Sequence, residues 1–136
     1  MQKLIISALI LGVLSGCASQ YGNYTIIPEL GNAQIAADTA LELALLYPPA
    51  STHLVLSQST KDSYGAELVK NLRERGYALE DSSAATSSSN KFAYIVDQIG
   101  ENLYRVQISI NSQVLSRVYM NSSKGVTPAG FWTRKE

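Results

Sequence analysis

The chain has 136 residues, which is enough for one domain. It carries 11 basic and 11 acidic side chains, and this balance argues against a nucleic-acid-binding protein and against electrostatic adhesion to anionic lipid. Its single cysteine excludes an intramolecular disulfide.

The chain begins with a segment that is typical of a secretory signal peptide. Lys3 supplies a positive charge, and residues 4–14 form an apolar stretch of 11 residues. At about 1.5 Å per helical residue, this stretch covers about half of a bilayer core, which is too short for a stable transmembrane helix. We therefore predict a cleaved lipoprotein signal peptide over residues 1–16.

The end of this segment matches the bacterial lipobox, which consists of Leu, two small residues and Cys. The matching residues are Leu14, Ser15, Gly16 and Cys17. Small side chains before the cut admit the backbone to the signal peptidase, and the thiol of Cys17 takes a diacylglycerol. Each buried methylene contributes about 0.8 kcal/mol, so two or three acyl chains on Cys17 would anchor the protein permanently. The alternative is a signal peptide without lipid, followed by a chance cysteine.

The residue after the cysteine, Ala18, bears on the destination of the protein. An aspartate in this position retains lipoproteins in the inner membrane of many Gram-negative bacteria, so Ala18 favours the outer membrane. We predict that residues 17–32 are the lipidated cysteine and a tether. Residues 33–136 are then a single α/β domain that faces the periplasm.

A helix is predicted over residues 33–46, with Asn32 as its N-cap. It is apolar except for a narrow polar stripe that recurs every four residues, at Gln34, Asp38 and Glu42. A helix this apolar is either covered on most sides or offers a face to a partner. Pro48 and Pro49 end it, because proline cannot continue a helix.

A short strand is predicted over residues 52–58. It contains His53, the only histidine of the chain, which has no metal-ligand companions nearby in the sequence. An amphipathic helix follows over residues 62–75, and Gly76 fits the left-handed position that ends a helix.

The rest of the chain is predicted to be a polar loop and a β-meander. Residues 81–90 are rich in serine and are interpreted as a surface loop, with a recognition loop as the alternative. Strands over 92–99, 103–110 and 113–120 form the meander, and Trp132 is either a staple onto the sheet or a partner anchor. We predict an α+β fold, a two-layer sandwich with two helices packed on a small mixed sheet.

The sequence contains none of the familiar catalytic patterns. It lacks a Gly-rich phosphate loop, a nucleophile elbow, a zinc-protease motif and paired cysteines. We therefore predict no enzyme activity, no catalytic or metal-binding residues, no cofactor and no small-molecule substrate. An envelope hydrolase ranks last among the hypotheses.

Several short motifs together resemble one known family. They are the lipobox at 14–17, QYGNY at 20–24, AAD at 36–38, YPPA at 47–50 and GVTPAGFW at 125–132. The chain resembles the TrbH family of conjugal transfer lipoproteins, and the plan of its domain is similar to the small N0-type domains of secretins. The resemblance implies a role in the type IV secretion channel of conjugation, where the protein would anchor or stabilise the outer-membrane core complex. Only Cys17 carries over as a site residue, and the partners implied are the membrane and other core-complex subunits.

A second hypothesis places the domain in another envelope machine. Small α/β lipoproteins also serve in outer-membrane protein assembly and in the control of peptidoglycan synthesis, and a fold does not decide between such functions.

Overall fold

The computed structural model describes residues 20–84 and 89–136. The predicted signal peptide, the lipobox residues Leu14, Ser15 and Gly16, and Cys17 lie outside this part of the chain. Residues 85–88 of the predicted serine-rich loop also lie outside it.

Two helices and a set of strands make up the described residues. The strands are β1 (Gly22–Asn23), β2 (His53–Leu56), β3 (Ala78–Asp81), β4 (Asn90–Gly100), β5 (Leu103–Ile110), β6 (Gln113–Ser122), β7 (Gly125–Pro128) and β8 (Thr133–Lys135). The helices are α1 (Glu29–Leu46) and α2 (Ser63–Glu74), with short 3-10 turns at Pro49–Ser51 and Ser82–Ala84.

The strands form one mixed sheet in the order β3-β2-β4-β5-β6-β7. β3, β2 and β4 are parallel, and β4 to β7 form an antiparallel meander. β1 pairs in parallel with β4 beyond the end of β2, and β8 pairs with β6 beside β7. The α+β class, the mixed sheet and the meander are therefore confirmed.

The core lies between the helices and one face of this sheet. Along β5, the residues Tyr104, Val106, Ile108 and Ile110 are buried and alternate with half-buried residues, as the sequence pattern predicts. Inward residues of both helices, including Ile35 and Leu68, belong to the same apolar cluster. The two helices thus serve a common core.

The boundaries of α2 follow from local chemistry that the sequence displays. Asp62 caps its start, because its Oδ1 accepts a hydrogen bond of 2.9 Å from the backbone N–H of Gly65. Gly76 has a φ of +95°, and the N–H of Tyr77 reaches the carbonyl of Leu72 at 3.1 Å. These contacts form a Schellman motif, so the predicted role of Gly76 is confirmed.

α1 begins at Glu29, four residues before the predicted start. Pro28 takes the N-cap position, and Asn32 caps nothing. The side chain of Asn32 is instead buried and donates a hydrogen bond of 2.9 Å to the carbonyl of Ile27. Because β1 also pairs with β4, the folded domain begins at Gly22, and most of the predicted tether is part of it.

Three tyrosines are fully buried in the core and use their hydroxyls within it. Tyr64 and Tyr94 pack edge to face, with ring centroids 5.1 Å apart. The hydroxyl of Tyr64 donates to Thr39, that of Tyr94 to Asp62 and that of Tyr119 to Asp38. Burial raises the pKa of each phenol, and the bonds to Asp62 and Asp38 raise the pKa of Tyr94 and Tyr119 further.

These raised pKa values predict alkaline unfolding. The unfolded chain releases its tyrosine protons above about pH 10, whereas the folded chain keeps them, so the free energy of unfolding falls as pH rises past that point. With three such groups, the free energy of unfolding falls by up to about 4 kcal/mol for each pH unit above this point. Urea unfolding at pH 8, 10 and 11 measures the slope, and Tyr119→Phe should reduce it by about a third. Folded-state titration of all three tyrosines near their ordinary pKa would contradict the prediction.

Candidate interaction site

The polar stripe of α1 holds this helix against the sheet. Asp38 accepts a hydrogen bond of 2.9 Å from Arg117 on β6, and the guanidinium lies 5.9 Å from the ring centroid of Tyr119. Arg117 also donates to the carbonyl of Gly130 at 2.8 Å. Nearer the start of α1, Gln34 accepts a hydrogen bond of 3.0 Å from the backbone of Val126 on β7. Two of the three predicted stripe residues therefore contact β6 and β7.

The side of α1 that faces away from the core is apolar except for Gln34, which is exposed. Leu30, Leu41 and Leu45 expose 66%, 47% and 71% of their surface, and Ala37 between them is also exposed. We call these four residues, Leu30, Ala37, Leu41 and Leu45, the α1 outer stripe. The helix contains no lysine or arginine. The sequence left open whether α1 is covered or offers a face, and the structure shows that one side is covered and the other is exposed.

Phe131 adds an exposed aromatic ring to the segment between β7 and β8. It follows Gly130, whose carbonyl is joined through Arg117 to Asp38 of α1, and 90% of its surface is exposed. Its neighbour Trp132 is partly buried and packs against the core. The interpretation of Trp132 as a staple is therefore confirmed, and Phe131 is the exposed member of this aromatic pair.

The opposite face of the sheet is more polar. Asp97 and Arg105 face each other across β4 and β5, and the carboxylate accepts from the guanidinium Nε at 3.0 Å. Ile99 and Met120, each 45% exposed, lie near one end of these strands. Within the described ranges, the helices contribute to the core on the other face only.

The remaining chemistry-bearing residues are dispersed. His53 lies 3.3 Å from the carboxylate of Glu80, and both side chains are partly exposed. In the part of the chain that the structure describes, no group of three His, Cys, Asp or Glu residues is placed to hold a metal ion. A cleft of about 230 Å³ at the start of α2 is lined by polar and apolar residues, including Asn23, Asp62 and Ser63.

Comparison with known families decides the identity of the chain. The family described as conjugal transfer protein TrbH matches residues 18–136. The chain belongs to the TrbH family. The match includes every helix and strand described above, and the resemblance read from the short sequence motifs is confirmed. A search of the curated proteins gives no match.

Membership of the TrbH family places the protein in conjugal transfer. The match begins at residue 18, so the lipobox residues Leu14, Ser15, Gly16 and Cys17 are neither matched nor described, and lipidation at Cys17 remains a prediction. Neither of the two described helices is long and apolar enough to cross a membrane.

Proposed function

We propose that this protein is a structural lipoprotein of a conjugative type IV secretion apparatus. In this role it anchors or stabilises the outer-membrane core complex through contacts with other subunits. The observation that carries the proposal is the α1 outer stripe, a row of exposed leucines on a domain of a conjugal transfer family. Exposed apolar rows of this kind are typical of protein interaction sites.

The lipid anchor and the start of the folded domain together limit how far the domain can lie from the membrane. Cys17 would hold the N-terminus in the outer membrane, and the folded domain begins at Gly22. A chain of about five residues reaches at most about 17 Å, so the domain would stay close to the periplasmic surface of the bilayer. Confinement to this layer raises the effective concentration of the domain toward membrane-bound partners.

The other two hypotheses receive less support. Family membership favours conjugation over outer-membrane protein assembly or control of peptidoglycan synthesis. A hydrolase needs a nucleophile, a base and a binding cleft in one place. Among the described residues, His53 is paired with Glu80 at the edge of the sheet, away from Asp62 and its cleft at the start of α2.

Affinity purification of the tagged, lipidated protein from membranes of donor cells tests the proposal. We expect secretion-channel subunits to co-purify, because the domain is proposed to act through contacts with them. An unrelated outer-membrane lipoprotein with the same tag serves as the control for adhesion to lipid or detergent. Recovery of the protein without any channel subunit would count against the proposed function.

A further inference from the structure

We propose that the α1 outer stripe is a docking site for one α-helix of another transfer protein, and that this helix carries lysine or arginine beside an apolar seam. The inference rests on the proposed function, since it names the surface and the chemistry of the partner.

The spacing of the exposed residues is compatible with a helix as the occupant. The exposed positions along this side of α1 fall three or four residues apart, at Leu30, Gln34, Ala37, Leu41 and Leu45. A row with this spacing can receive the side chains of a second helix.

Small side chains beside the leucines allow close approach. Ala37 is exposed in the middle of the α1 outer stripe, and Ala33 and Ala44 are half-buried at its edge. Helices pack with their axes about 8–10 Å apart, and alanine at the contact favours the shorter distance. The exposed leucines would then flank the point of closest contact.

The charges of α1 select among possible occupants. Its acidic residues are Glu29, Asp38 and Glu42, and only Asp38 has a basic partner, Arg117, in the contacts described above. An anionic bilayer would be repelled by Glu29 and Glu42. A second copy of α1 would bring further carboxylates and no cation. A partner helix with basic residues complements the edge of the stripe and is the occupant that these charges favour.

The α1 outer stripe lies on a helix that is already fixed to the rest of the domain. The buried side of α1 packs into the core through Ile35, Ala36 and Leu43, and the ion pair of Asp38 with Arg117 fixes the helix to β6. A surface that is already ordered loses less conformational entropy when a partner binds.

Mating assays with the full-length lipoprotein test this inference in donors that lack the native gene. Leu41→Glu places a charge in the α1 outer stripe. We expect it to lower the frequency of plasmid transfer by about tenfold or more, as removal of a central interface residue does. Glu42→Lys should also lower transfer, because it repels a basic partner, whereas Glu42→Gln should have a smaller effect. Met120→Glu is the matched control, since Met120 is 45% exposed on the opposite face and Leu41 is 47% exposed.

Protein levels and membrane attachment of each variant are measured alongside transfer, so that misfolding is detected. A second approach replaces Ala37 with a photo-crosslinking amino acid and leaves the rest of the α1 outer stripe native. We expect crosslinks to a helix of another transfer protein, with lysine or arginine beside the crosslinked site, identified by mass spectrometry of the joined peptides. Crosslinks only to a second copy, or only to lipid, would overturn the inference.

The failure of this inference is distinguishable from the failure of the proposed function. If deletion abolishes transfer but Leu41→Glu transfers normally, the stripe is not the docking site and the proposed function stands. If deletion leaves transfer unchanged, the proposed function itself is wrong.

Discussion

Cys17→Ser is expected to abolish palmitate labelling and to remove the protein from the outer membrane. A hydroxyl is a much weaker nucleophile than a thiol, so the diacylglycerol is not transferred and the anchoring chains are lost. Metabolic labelling with palmitate, followed by separation of inner and outer membranes, measures both effects. Without the anchor, the formal net charge of zero gives the chain little electrostatic attraction to anionic lipid.

Ser15→Ala is the matched control for this experiment. It keeps a small residue before the predicted cut and should leave labelling and membrane attachment unchanged. Continued labelling of the Cys17→Ser protein would show that lipid is attached elsewhere or that the lipobox interpretation is wrong.

Gly65→Ala is expected to destabilise the domain severely. A Cβ at this position would lie 2.1 Å from the hydroxyl of Tyr94, 2.8 Å from Oδ2 of Asp62 and 2.9 Å from Cα of Thr60. The first two atoms belong to a hydrogen bond at the start of α2, and the third is backbone that moves only with its segment. We expect a loss of about 3 kcal/mol or more, well beyond the gain of about 1 kcal/mol from the helix propensity of alanine.

Urea unfolding of the chain without its leader measures the effect of Gly65→Ala. Gly130→Ala is the control, because an added Cβ there meets no atom within 4 Å. It should unfold at nearly the native urea concentration. Equal stability of the Gly65→Ala and native proteins would contradict the packing described around Tyr94.

Elements that depend on local chemistry could be predicted from the sequence. α2 has a capping Asp62 and a terminating Gly76, and β5 has a strict alternation of apolar and polar residues. The start of α1 could not be placed in the same way. Pro28 and Gly31 resemble turn residues. Gly31 lies inside the helix, and an added Cβ there would come within 2.6 Å of a methyl carbon of Val126.

The short edge strands depend on contacts that are distant in sequence. β1 has two residues and pairs with Ile95 and Val96, which lie far along the chain. No local sequence pattern therefore predicts this strand. The same limit applies to the candidate site. Asp38 was predicted as part of a polar stripe, but its partner Arg117 lies 79 positions away. That pairing and the packing of Ile35 and Leu43 in the core together show which side of α1 is left exposed.

Transfer by donor cells that lack the gene tests the central claim most directly. If the protein is a structural part of the conjugation channel, deletion should reduce mating frequency to near background, and the native gene supplied in trans should restore it. Cys17→Ser should restore it poorly, because the unanchored domain is diluted away from its partners. Normal transfer by the deletion donors would contradict the account.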